Sequence, residues 1–247
     1  MILVVGECCD DVFVYGECKR ICPEAPVPVF NPLETISNDG MAGNVVANLN
    51  AMEAECTFIC NTESFVKTRY VDKRTNQMLI RVDENDTAER ITNDQLNLIK
   101  EMSGEINCLI ISDYNKGFLH EHDIKLISSW FEYSFIDTKK KLGSWVNGIT
   151  FIKLNEVEYL HTMDTLDTVE GWEDKLIITR GENGCVYGSE VYPVTEKIQT
   201  MDVSGAGDTF HSAFAVEYMK SKDIVSAINY AQECTNIVIK KKGVATI

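Results

Sequence analysis

The stretch Asp202-Val203-Ser204-Gly205-Ala206-Gly207-Asp208 (DVSGAGD) says more about the fold of this chain than any other. It leads into Thr209–Val216, where Phe210 and Phe214 lie on one apolar face of a predicted helix. Small residues let backbone N–H groups approach a ligand closely, and a helix N-terminus adds about half a positive charge. Such a loop predicts an anion hole for a phosphoryl group, with Asp208 beside it as a candidate base. An ordinary glycine-rich turn in which Asp208 caps the helix remains the alternative.

Two other phosphate-binding motifs are absent from the sequence. The dinucleotide-binding fingerprint requires a third glycine three residues after Gly207, and Phe210 stands there. A Walker A loop requires Gly-Lys, and none of the 15 glycines is followed by Lys. The DVSGAGD loop therefore predicts phosphate binding by another design.

Short apolar runs without polar alternation recur along the rest of the chain. Helical segments such as Gly43–Met52 and Ile124–Phe131 separate them, which predicts a parallel sheet buried on both faces. Ligands bind beyond the carboxyl ends of such strands, and here those ends carry Asp, Asn, Thr or Gly. The runs are Ile2–Val5, Cys108–Ser112, Tyr133–Ile136, Ile149–Leu154 and Leu176–Thr179.

Two segments, 12–36 and 67–83, interrupt this pattern. The first is rich in β-forming residues and holds four of the five prolines, and the second resembles a hairpin that turns near Arg74-Thr75-Asn76. Together they predict a small β-sheet lid on a single domain that covers residues 1–247. The alternative is that they form edge strands of the main sheet.

The composition excludes several classes of protein. The 247 residues include 23 Lys+Arg and 38 Asp+Glu, which leaves a net charge of −15 and argues against nucleic acid as the partner. Hydrophobic residues make up 45%, enough for a buried core. No stretch approaches the roughly 18 apolar residues that a membrane helix needs. The nine cysteines and the absence of a basic leader predict reduced thiols in the cytoplasm.

Seven short segments follow one another in an order that belongs to a known family. They are Gly6–Asp11, Gly40–Asn44, Asp113–Gly117, Asp137–Lys139, Lys153–Glu158, Thr179–Gly184 and Asp202–Asp208. In this order they resemble the motifs of the ribokinase-like (PfkB-type) carbohydrate kinases, from residue 1 to near residue 247. The resemblance implies a three-layer α/β sandwich with a mainly parallel central sheet and a small β-sheet lid. Glu7 and Met41 depart from the pattern, because the family usually has Asp and Gly there.

The resemblance implies ATP as the phosphoryl donor and Asp208 as the base. The carboxylate of Asp208 would accept the proton of a sugar hydroxyl as that hydroxyl attacks the γ-phosphorus, and the N–H groups of Gly205–Gly207 would hold the phosphoryl oxygens. A loose phosphoryl-transfer transition state needs little early deprotonation, so a weak base is sufficient. The resemblance also suggests a monovalent cation near Asp202 and Ser204.

Cofactor contacts are expected at two further strand ends. Asn155 and Glu158 would hold Mg²⁺ beside the phosphates, and the alternative is a helix cap by Asn155 with a solvated Glu158. Thr179, Gly181 and Gln232 are the expected contacts of the adenine nucleotide.

The substrate candidates divide into residues for hydroxyl groups and cations for a phosphate. The candidates for hydroxyl groups are Asp11, Gly40, Asn44 and Asp113. The cations are Lys67, Arg69, Arg81 and Lys116.

Within the family, Cys22–Val29 and Lys67–Asp83 resemble lid segments of the kinase domain in heptose-7-phosphate kinase/ADP-heptose synthases. This implies heptose 7-phosphate as the substrate, phosphorylation at the anomeric hydroxyl and a homodimer that forms through the lid. The region between Ile59 and Lys67 is shorter here, and no nucleotidyltransferase region follows, so ADP transfer is not expected. The alternatives are a nucleoside, ribose or fructose kinase of the same fold, or a catalytically silent binding protein.

Overall fold

The computed structural model describes residues 1–63, 65–194, 200, 202–241 and 243–247. Within these residues the chain forms twelve strands and six α-helices, joined by turns and four short 3₁₀ helices. The strands are β1 (Ile2–Gly6), β2 (Cys8–Ile21), β3 (Pro28–Met41), β4 (Cys56–Cys60), β5 (Val66–Asp72), β6 (Met78–Glu84), β7 (Cys108–Asp113), β8 (Tyr133–Thr138), β9 (Phe151–Asn155), β10 (Leu176–Thr179), β11 (Cys185–Tyr187) and β12 (Glu190–Tyr192). The helices are α1 (Ala42–Ala51), α2 (Asn93–Met102), α3 (Glu121–Ser128), α4 (Glu156–Thr162), α5 (Ala206–Ser221) and α6 (Ile224–Val238).

Eight strands form the main sheet in the order β12-β11-β10-β9-β8-β7-β1-β4. Six neighbouring strands, from β10 to β4, run parallel, and β11 and β12 add an antiparallel edge. The predicted mainly parallel sheet is therefore confirmed. All carboxyl ends of the six parallel strands lie at one edge, which is where polar residues follow them.

Helices cover both faces of the main sheet, because alternate side chains of each strand point to opposite sides. Leu3 and Val5 belong to a core that includes residues of α2 and α3. Val4 belongs to a second core with residues of α1, α5 and α6. All three are fully buried, and burial of one such side chain stabilises the fold by about 1.5–3 kcal/mol. The result is the predicted three-layer sandwich.

A second sheet stands apart from the main one, with the order β3-β2-β5-β6. Two antiparallel hairpins, β2–β3 and β5–β6, join through parallel pairing of β2 with β5. Asp72 Oδ1 accepts the N–H groups of Arg74 and Thr75 and thereby closes the predicted turn. The alternative in which these segments extend the main sheet is wrong. We call this second sheet the lid sheet.

Helix α3 shows where the periodicity of the sequence was misleading. A helix was expected over 124–131, but α3 occupies Glu121–Ser128. His120 begins it, because Asp123 accepts the N–H of His120 and the two form a capping box. Phe131 lies beyond the end of α3 and is nevertheless buried, so its apolar side chain was not a sign of helix.

All nine cysteines are free thiols in the structure. Of the helices formed by the residues described above, none combines the length and the apolar character that a bilayer crossing requires.

Candidate active site

Asp208 lies in the first turn of α5, at the edge of the main sheet where the parallel strands end. It is 6% exposed, and its carboxylate accepts hydrogen bonds from Asn44 Nδ2 at 3.0 Å and from the Tyr114 hydroxyl at 2.9 Å. Burial raises the pKa of Asp208 to about 6, and the neighbouring Asp137 acts in the same direction, whereas the two hydrogen bonds oppose the shift. A buried carboxylate with a pKa near neutrality is suited to accept a proton.

The glycine loop before α5 packs tightly against the side chains of the site. Gly205 has φ 78°, and a Cβ there would lie 2.5 Å from Asn44 Nδ2. A Cβ on Gly207 would lie 2.9 Å from Lys153 Nζ. Side chains larger than hydrogen would displace these groups, so both glycines are required. The N–H groups at the start of α5 are the candidates for the predicted anion hole.

Lys153 is a residue of the site that sequence analysis quoted in a motif but gave no role. It is 5% exposed, and its ammonium lies 2.6 Å from Asp137 Oδ2 beneath Gly207. Burial would raise the pKa of Asp137, but the positive charges of Lys153 and Lys139 outweigh it and hold that pKa well below its usual range. A single lysine inside the apolar run of β9 was the available signal, because an unpaired charge is rarely buried.

Lys139 connects Asp137 with Glu158, the candidate magnesium residue. Its ammonium lies 3.3 Å from Asp137 Oδ1 and forms an ion pair with Glu158. Carboxylate oxygens are donors that a hard divalent ion prefers, and in this structure Lys139 is the cation that the two carboxylates share. Among the residues that the structure describes, no three His, Cys, Asp or Glu side chains form a metal-binding group.

Asn155 caps α4, as in the alternative that sequence analysis left open, but Glu158 is not solvated as that alternative expected, because it takes part in the cap and pairs with Lys139. Asn155 Oδ1 accepts the Glu158 N–H at 2.9 Å, and Glu158 Oε2 accepts the Asn155 N–H at 2.7 Å. This reciprocal capping box starts α4 and fixes the direction of the Glu158 carboxylate.

A cavity of about 190 Å³ lies between the end of β10 and helices α5 and α6. It brings the predicted nucleotide residues Thr179, Gly181 and Gln232 together with Ala206 and Gly207 of the candidate anion hole. The amide of Gln232 donates to the Tyr192 carbonyl at 2.8 Å, while its Oε1 is buried and has no hydrogen-bond partner within the described part of the chain. The cavity wall is largely apolar, and Gln232 Oε1 is a buried acceptor in it that is free to bind a ligand.

Three of the predicted substrate residues, Asp11, Gly40 and Arg69, lie in contact with one another. We call this part of the site the substrate side. Asp11 is buried, and Arg69 donates to its carboxylate in an ion pair. The guanidinium of Arg69 also lies 4.9 Å from the centre of the Phe13 ring. A Cβ on Gly40 would lie 2.8 Å from Asp11 Oδ2, so this glycine allows the carboxylate to approach the backbone of β3.

Tyr114 is a second site residue without a predicted role. The ammonium groups of Lys67 and Lys139 lie 5.2 Å and 5.3 Å from the centre of its ring. Burial, together with the charge of Asp208, raises the pKa of Tyr114 well above its usual value, so its hydroxyl remains a donor. Its place in the family-like segment Asp113–Gly117 was the only available signal.

Three other predicted substrate residues, Asp113, Lys116 and Arg81, make their side-chain contacts away from Asp11 and Asp208. Asp113 is buried and accepts from the Thr138 hydroxyl and the Lys140 ammonium, both at 2.5 Å. Ion pairs join Lys116 to Asp86 at 2.5 Å and Arg81 to Asp83 at 2.8 Å. Arg81 is paired with Arg69 in the β5–β6 register, so both lie on the same face of the lid sheet.

Glu7 departs from the family pattern for a structural reason. Its buried carboxylate accepts the backbone N–H groups of Tyr114 at 2.8 Å, Lys116 at 3.0 Å and Phe118 at 3.3 Å. Burial and the charge of Asp113 raise the pKa of Glu7, while these N–H groups act in the opposite direction. Glu7 therefore organises the loop that carries Tyr114.

Met41 departs from the pattern at a position that favours glycine. It has φ 58° and ψ −128° immediately before α1, and such a conformation costs a non-glycine residue about 1–3 kcal/mol. Its side chain is buried with Cys9 and Phe65, which offsets part of that cost. The strained turn is thus held by the packing around it.

Asp202 closes the base of the glycine loop. Its two carboxylate oxygens accept the N–H groups of Ser204 at 2.9 Å and Gly243 at 3.1 Å. These contacts join the loop to the C-terminal segment of the chain.

Comparison with known proteins agrees with this arrangement. Residues 119–247 match the model of the pfkB family carbohydrate kinase. The chain belongs to the pfkB family of carbohydrate kinases. Its N-terminal half, which contributes Asp11, Asn44 and Tyr114, is tied to the matched half by the contacts described above.

The curated relatives extend the similarity over the whole chain. A bifunctional protein HldE from Marinomonas sp. (strain MWYL1) is 28% identical over 100% of the chain and 62% of its own length. The corresponding protein of a Nitratiruptor species is 29% identical over 99% of the chain and 62% of its own length. The chain therefore spans about three fifths of these relatives.

Solved structures of pfkB-like kinases share the fold. Ribokinase from Arabidopsis thaliana, complexed with ribose and ATP, superposes with a TM-score of 0.72 at 14% identity, over 98% of this chain and 93% of that one. Phosphofructokinase-2 from Escherichia coli superposes with a TM-score of 0.73 at 12% identity, over 99% of this chain and 94% of that one. At such identities the likeness establishes the fold.

Proposed function

We propose that this chain transfers the γ-phosphoryl group of ATP to a hydroxyl of a sugar phosphate, with heptose 7-phosphate phosphorylated at its anomeric hydroxyl. The position of Asp208 is the observation that carries the proposal. Its buried carboxylate, with a pKa of about 6, lies at the start of α5, and the cavity lined by Gln232 reaches the anion hole beside it. Asn44 of α1 and Tyr114, which follows β7, both donate hydrogen bonds to the same carboxylate.

The chemistry follows from these contacts. Asp208 takes the proton of the acceptor hydroxyl while the hydroxyl oxygen forms a bond to the γ-phosphorus, and the bond from that phosphorus to the β-phosphate oxygen breaks to release ADP. Asn44 and Tyr114 hold the carboxylate in place. The N–H groups of Gly205–Gly207, with Lys153 beneath them, stabilise the transferred phosphoryl oxygens.

Asn155 and Glu158 are the proposed magnesium residues. Mg²⁺ bound with ATP would neutralise phosphate charge; Glu158 would hold it, and Asn155 fixes the direction of that carboxylate through the capping box. Glu158→Gln should therefore raise the Mg²⁺ concentration needed for half-maximal activity more than it changes the KM for the sugar. An effect on the sugar KM alone would contradict the assignment.

The nucleotide is proposed to occupy the cavity at Thr179, Gly181 and Gln232. The unpaired Gln232 Oε1 would accept a hydrogen bond from the exocyclic amino group of adenine. A monovalent cation near Asp202 and Ser204 belongs to the same proposal, and replacement of K⁺ by a large organic cation in the assay tests it.

The preference for a phosphorylated sugar rests on the cations near Asp11. Lys67 lies over Tyr114, and Arg69 contacts Asp11, so both reach the substrate side. A charge-assisted bond to phosphate contributes roughly 1.5–3 kcal/mol. The lid segments also resemble those of heptose-7-phosphate kinases.

A second candidate is a kinase of neutral sugars. Arg69, Arg81 and Lys116 are each joined to an acidic side chain, and these pairs leave less positive charge for a phosphate. Asp11 and Asn44 would suffice to bind the hydroxyls of such a sugar.

A coupled assay of ADP release over matched pairs of sugars and sugar phosphates separates the two candidates. We expect the phosphorylated member of each pair to have the higher kcat/KM. Lys67→Ala, Arg69→Ala and Arg81→Ala should lower kcat/KM for it about tenfold or more, which is about 1.4 kcal/mol, with little change in the KM for ATP. Lys73→Ala is the control, because this exposed lysine pairs with Glu34 at the tip of the lid sheet. Preference for the neutral sugar together with silent variants would contradict the first candidate.

We also propose that two copies pair through the outer face of the lid sheet. Ile80 is 57% exposed and Val82 is 38% exposed on the face opposite Arg69 and Arg81. Exposed apolar groups on a sheet favour association. Sedimentation should show a dimer for the parent chain and a monomer for Ile80→Glu.

A further inference from the structure

Two thiols that the proposed function does not use meet behind the substrate side of the site. Cys60 ends β4 and Cys8 begins β2, and their sulfur atoms lie 2.9 Å apart. Both side chains are half-buried. In sequence they are 52 positions apart, so the tertiary structure alone brings them together.

The surrounding backbone holds the two sulfurs in place. Gly6 pairs with Cys60 where β1 and β4 run in parallel. Asn61, the residue after Cys60, accepts the Cys8 N–H at 2.8 Å through Oδ1. A disulfide has a sulfur–sulfur distance of about 2.05 Å, so the bond requires an approach of about 0.9 Å from the observed 2.9 Å.

The hydrogen bond between the two thiols gives them different pKa values. Cys8 donates its proton to the sulfur of Cys60, which lowers the pKa of Cys60 and raises that of Cys8. Cys60 is thereby favoured as the thiolate that attacks an oxidant. By contrast, burial raises the pKa of Cys108 to about 12 and that of Cys185 to about 11, so these core thiols are unreactive.

Small molecules can reach the pair. Cys8 lines an open cavity of about 280 Å³ together with Cys9, Asp39 and Phe58. Through this opening a low-molecular-weight disulfide reaches Cys8, whose sulfur contacts that of the half-buried Cys60.

We propose that Cys8 and Cys60 are a redox-sensitive thiol pair, which a low-molecular-weight disulfide such as oxidised glutathione converts to an intramolecular disulfide. The Cys60 thiolate attacks one sulfur of the oxidant and releases one equivalent of reduced thiol. Cys8, losing its proton, then attacks the Cys60 sulfur of the mixed disulfide and releases the second equivalent. The protein loses two electrons and two protons, and the oxidant gains them as two thiols.

The disulfide between Cys8 and Cys60 would act at the point where the lid sheet begins. Cys8 starts β2, the strand that carries Asp11, whereas Cys60 belongs to an edge strand of the main sheet. A covalent link pulls the start of β2 toward β4 and restrains the movement of the lid relative to the main sheet. Displacements of about 1 Å at a substrate-binding group are costly to catalysis. Oxidation should therefore lower kcat/KM for the acceptor about fivefold or more, reversibly.

The test equilibrates the purified chain in glutathione buffers of increasing oxidised fraction, followed by trapping of thiols and peptide mapping without reductant. We expect one cross-linked product that joins the Cys8 and Cys60 peptides, formed in parallel with the loss of activity and removed by dithiothreitol. Cys56→Ser is the matched control, because Cys56 is a half-buried thiol on the same strand and bonds to Asn50 instead. This variant should form the cross-link as the parent does.

Cys60→Ser should form no cross-link and should keep its activity in oxidising buffer; Cys60→Ala serves the same purpose if the serine variant folds poorly. The pairing is overturned if Cys60 carries glutathione while Cys8 stays reduced, or if other cysteines cross-link first. The effect on the lid is overturned if the cross-linked protein is as active as the reduced one. Because the mapping requires no substrate, the thiol pair can fail or stand independently of the proposed kinase activity.

Discussion

Asn44 donates a hydrogen bond of 3.0 Å from Nδ2 to Oδ2 of Asp208, although the two residues lie 164 positions apart. The same amide lies 3.4 Å from the Gly205 carbonyl, so one side chain fixes both the base and the glycine loop. Asn44 sits in α1, directly after the lid sheet, and Asp208 sits in α5. This contact therefore couples the substrate side of the site to the phosphate side.

Replacement of Asp208 by Asn should abolish most of the turnover without unfolding the chain. The amide has the shape of the carboxylate but cannot accept the proton, and loss of a general base typically costs about 10² or more in kcat. The KM for ATP should change little. Assays of ADP release, stopped at fixed times, measure both kcat and the KM for ATP. Asp223→Asn, at the exposed start of α6, is the control, and turnover of D208N within threefold of the parent would remove Asp208 from the base role.

The pH dependence of both activity and stability should report the Asp208 carboxyl. Because its pKa is raised from 3.8 to about 6, kcat/KM should fall as the pH drops below about 6. Between pH 6 and pH 4 the folded state binds a proton that the unfolded state does not, so this group costs stability above pH 6 and the cost disappears toward pH 4. D208N should therefore be more stable than the parent at pH 8, on the order of 2 kcal/mol, but not at pH 4. Urea unfolding at the two pH values measures it, and an equal difference at both would contradict the assigned pKa.

Lys153→Met should be strongly destabilising. The substitution leaves Asp137 buried without its nearest cation, which typically costs about 3–5 kcal/mol. Lys141→Met removes a lysine from a pair with the exposed Asp164 and should cost less than about 1 kcal/mol. The double variant Lys153→Met/Asp137→Asn should regain much of the stability but not the activity. Chemical denaturation compares the three, and equal losses for both single variants would show that the buried pair has no special role.

Gly205→Ala and Gly171→Ala separate backbone strain from crowding in the site. Both glycines have positive φ, 78° and 62°, so each alanine should cost about 1 kcal/mol through the backbone. A Cβ at Gly171 meets nothing within 4 Å, whereas one at Gly205 lies 2.5 Å from Asn44 Nδ2. Activity should fall at least tenfold only for Gly205→Ala, measured by ADP release. Similar activities of the two variants would contradict the role of the close approach.

Glu7→Gln should loosen the loop that carries Tyr114. In Gln an NH₂ group replaces one carboxylate oxygen and faces backbone N–H donors. At least one of the three hydrogen bonds is therefore lost, which lowers the free energy of unfolding by about 1–3 kcal/mol. Thermal unfolding measures this loss. Glu17→Gln, on an exposed part of β2, should leave the melting temperature unchanged. A wild-type melting temperature for Glu7→Gln would show that the carboxylate does not organise the loop.

Much of the fold was predictable because it depends on local patterns. The apolar runs of β1 and β7 are buried on both faces, and no other arrangement of such short strands removes them from water. The hairpin of β5 and β6 follows from turn residues whose N–H groups Asp72 accepts. The end of α3 was not predictable in this way, because Phe131 is buried through tertiary packing after the helix has ended.

The candidate site was predictable only in part, and for the same reason. The DVSGAGD loop pointed to Asp208 and to a candidate anion hole, since small residues before a helix let backbone N–H groups approach an anion. Tyr114 and Lys153 gave only weak local signals, which did not indicate a role, because each acts through a neighbour that is distant in sequence. Asp113 and Lys116, although they lie in a family-like segment, contact Lys140 and Asp86 instead of the residues around Asp208.

The amino-acid sequence by itself determined the layered α/β architecture, the hairpin turn and the glycine-rich loop before α5, since periodicity, turn residues and glycines act over a few positions; the tertiary structure decided that the lid strands form a separate sheet. The tertiary structure decided which charges neutralise one another. It paired Arg69 with Asp11 and Lys153 with Asp137. It also brought the thiols of Cys8 and Cys60 together and raised the pKa of Asp208 by burial. Such pairings depend on distances of a few ångströms between segments far apart in the chain, because electrostatic and hydrogen-bond energies in a protein interior change steeply over that range.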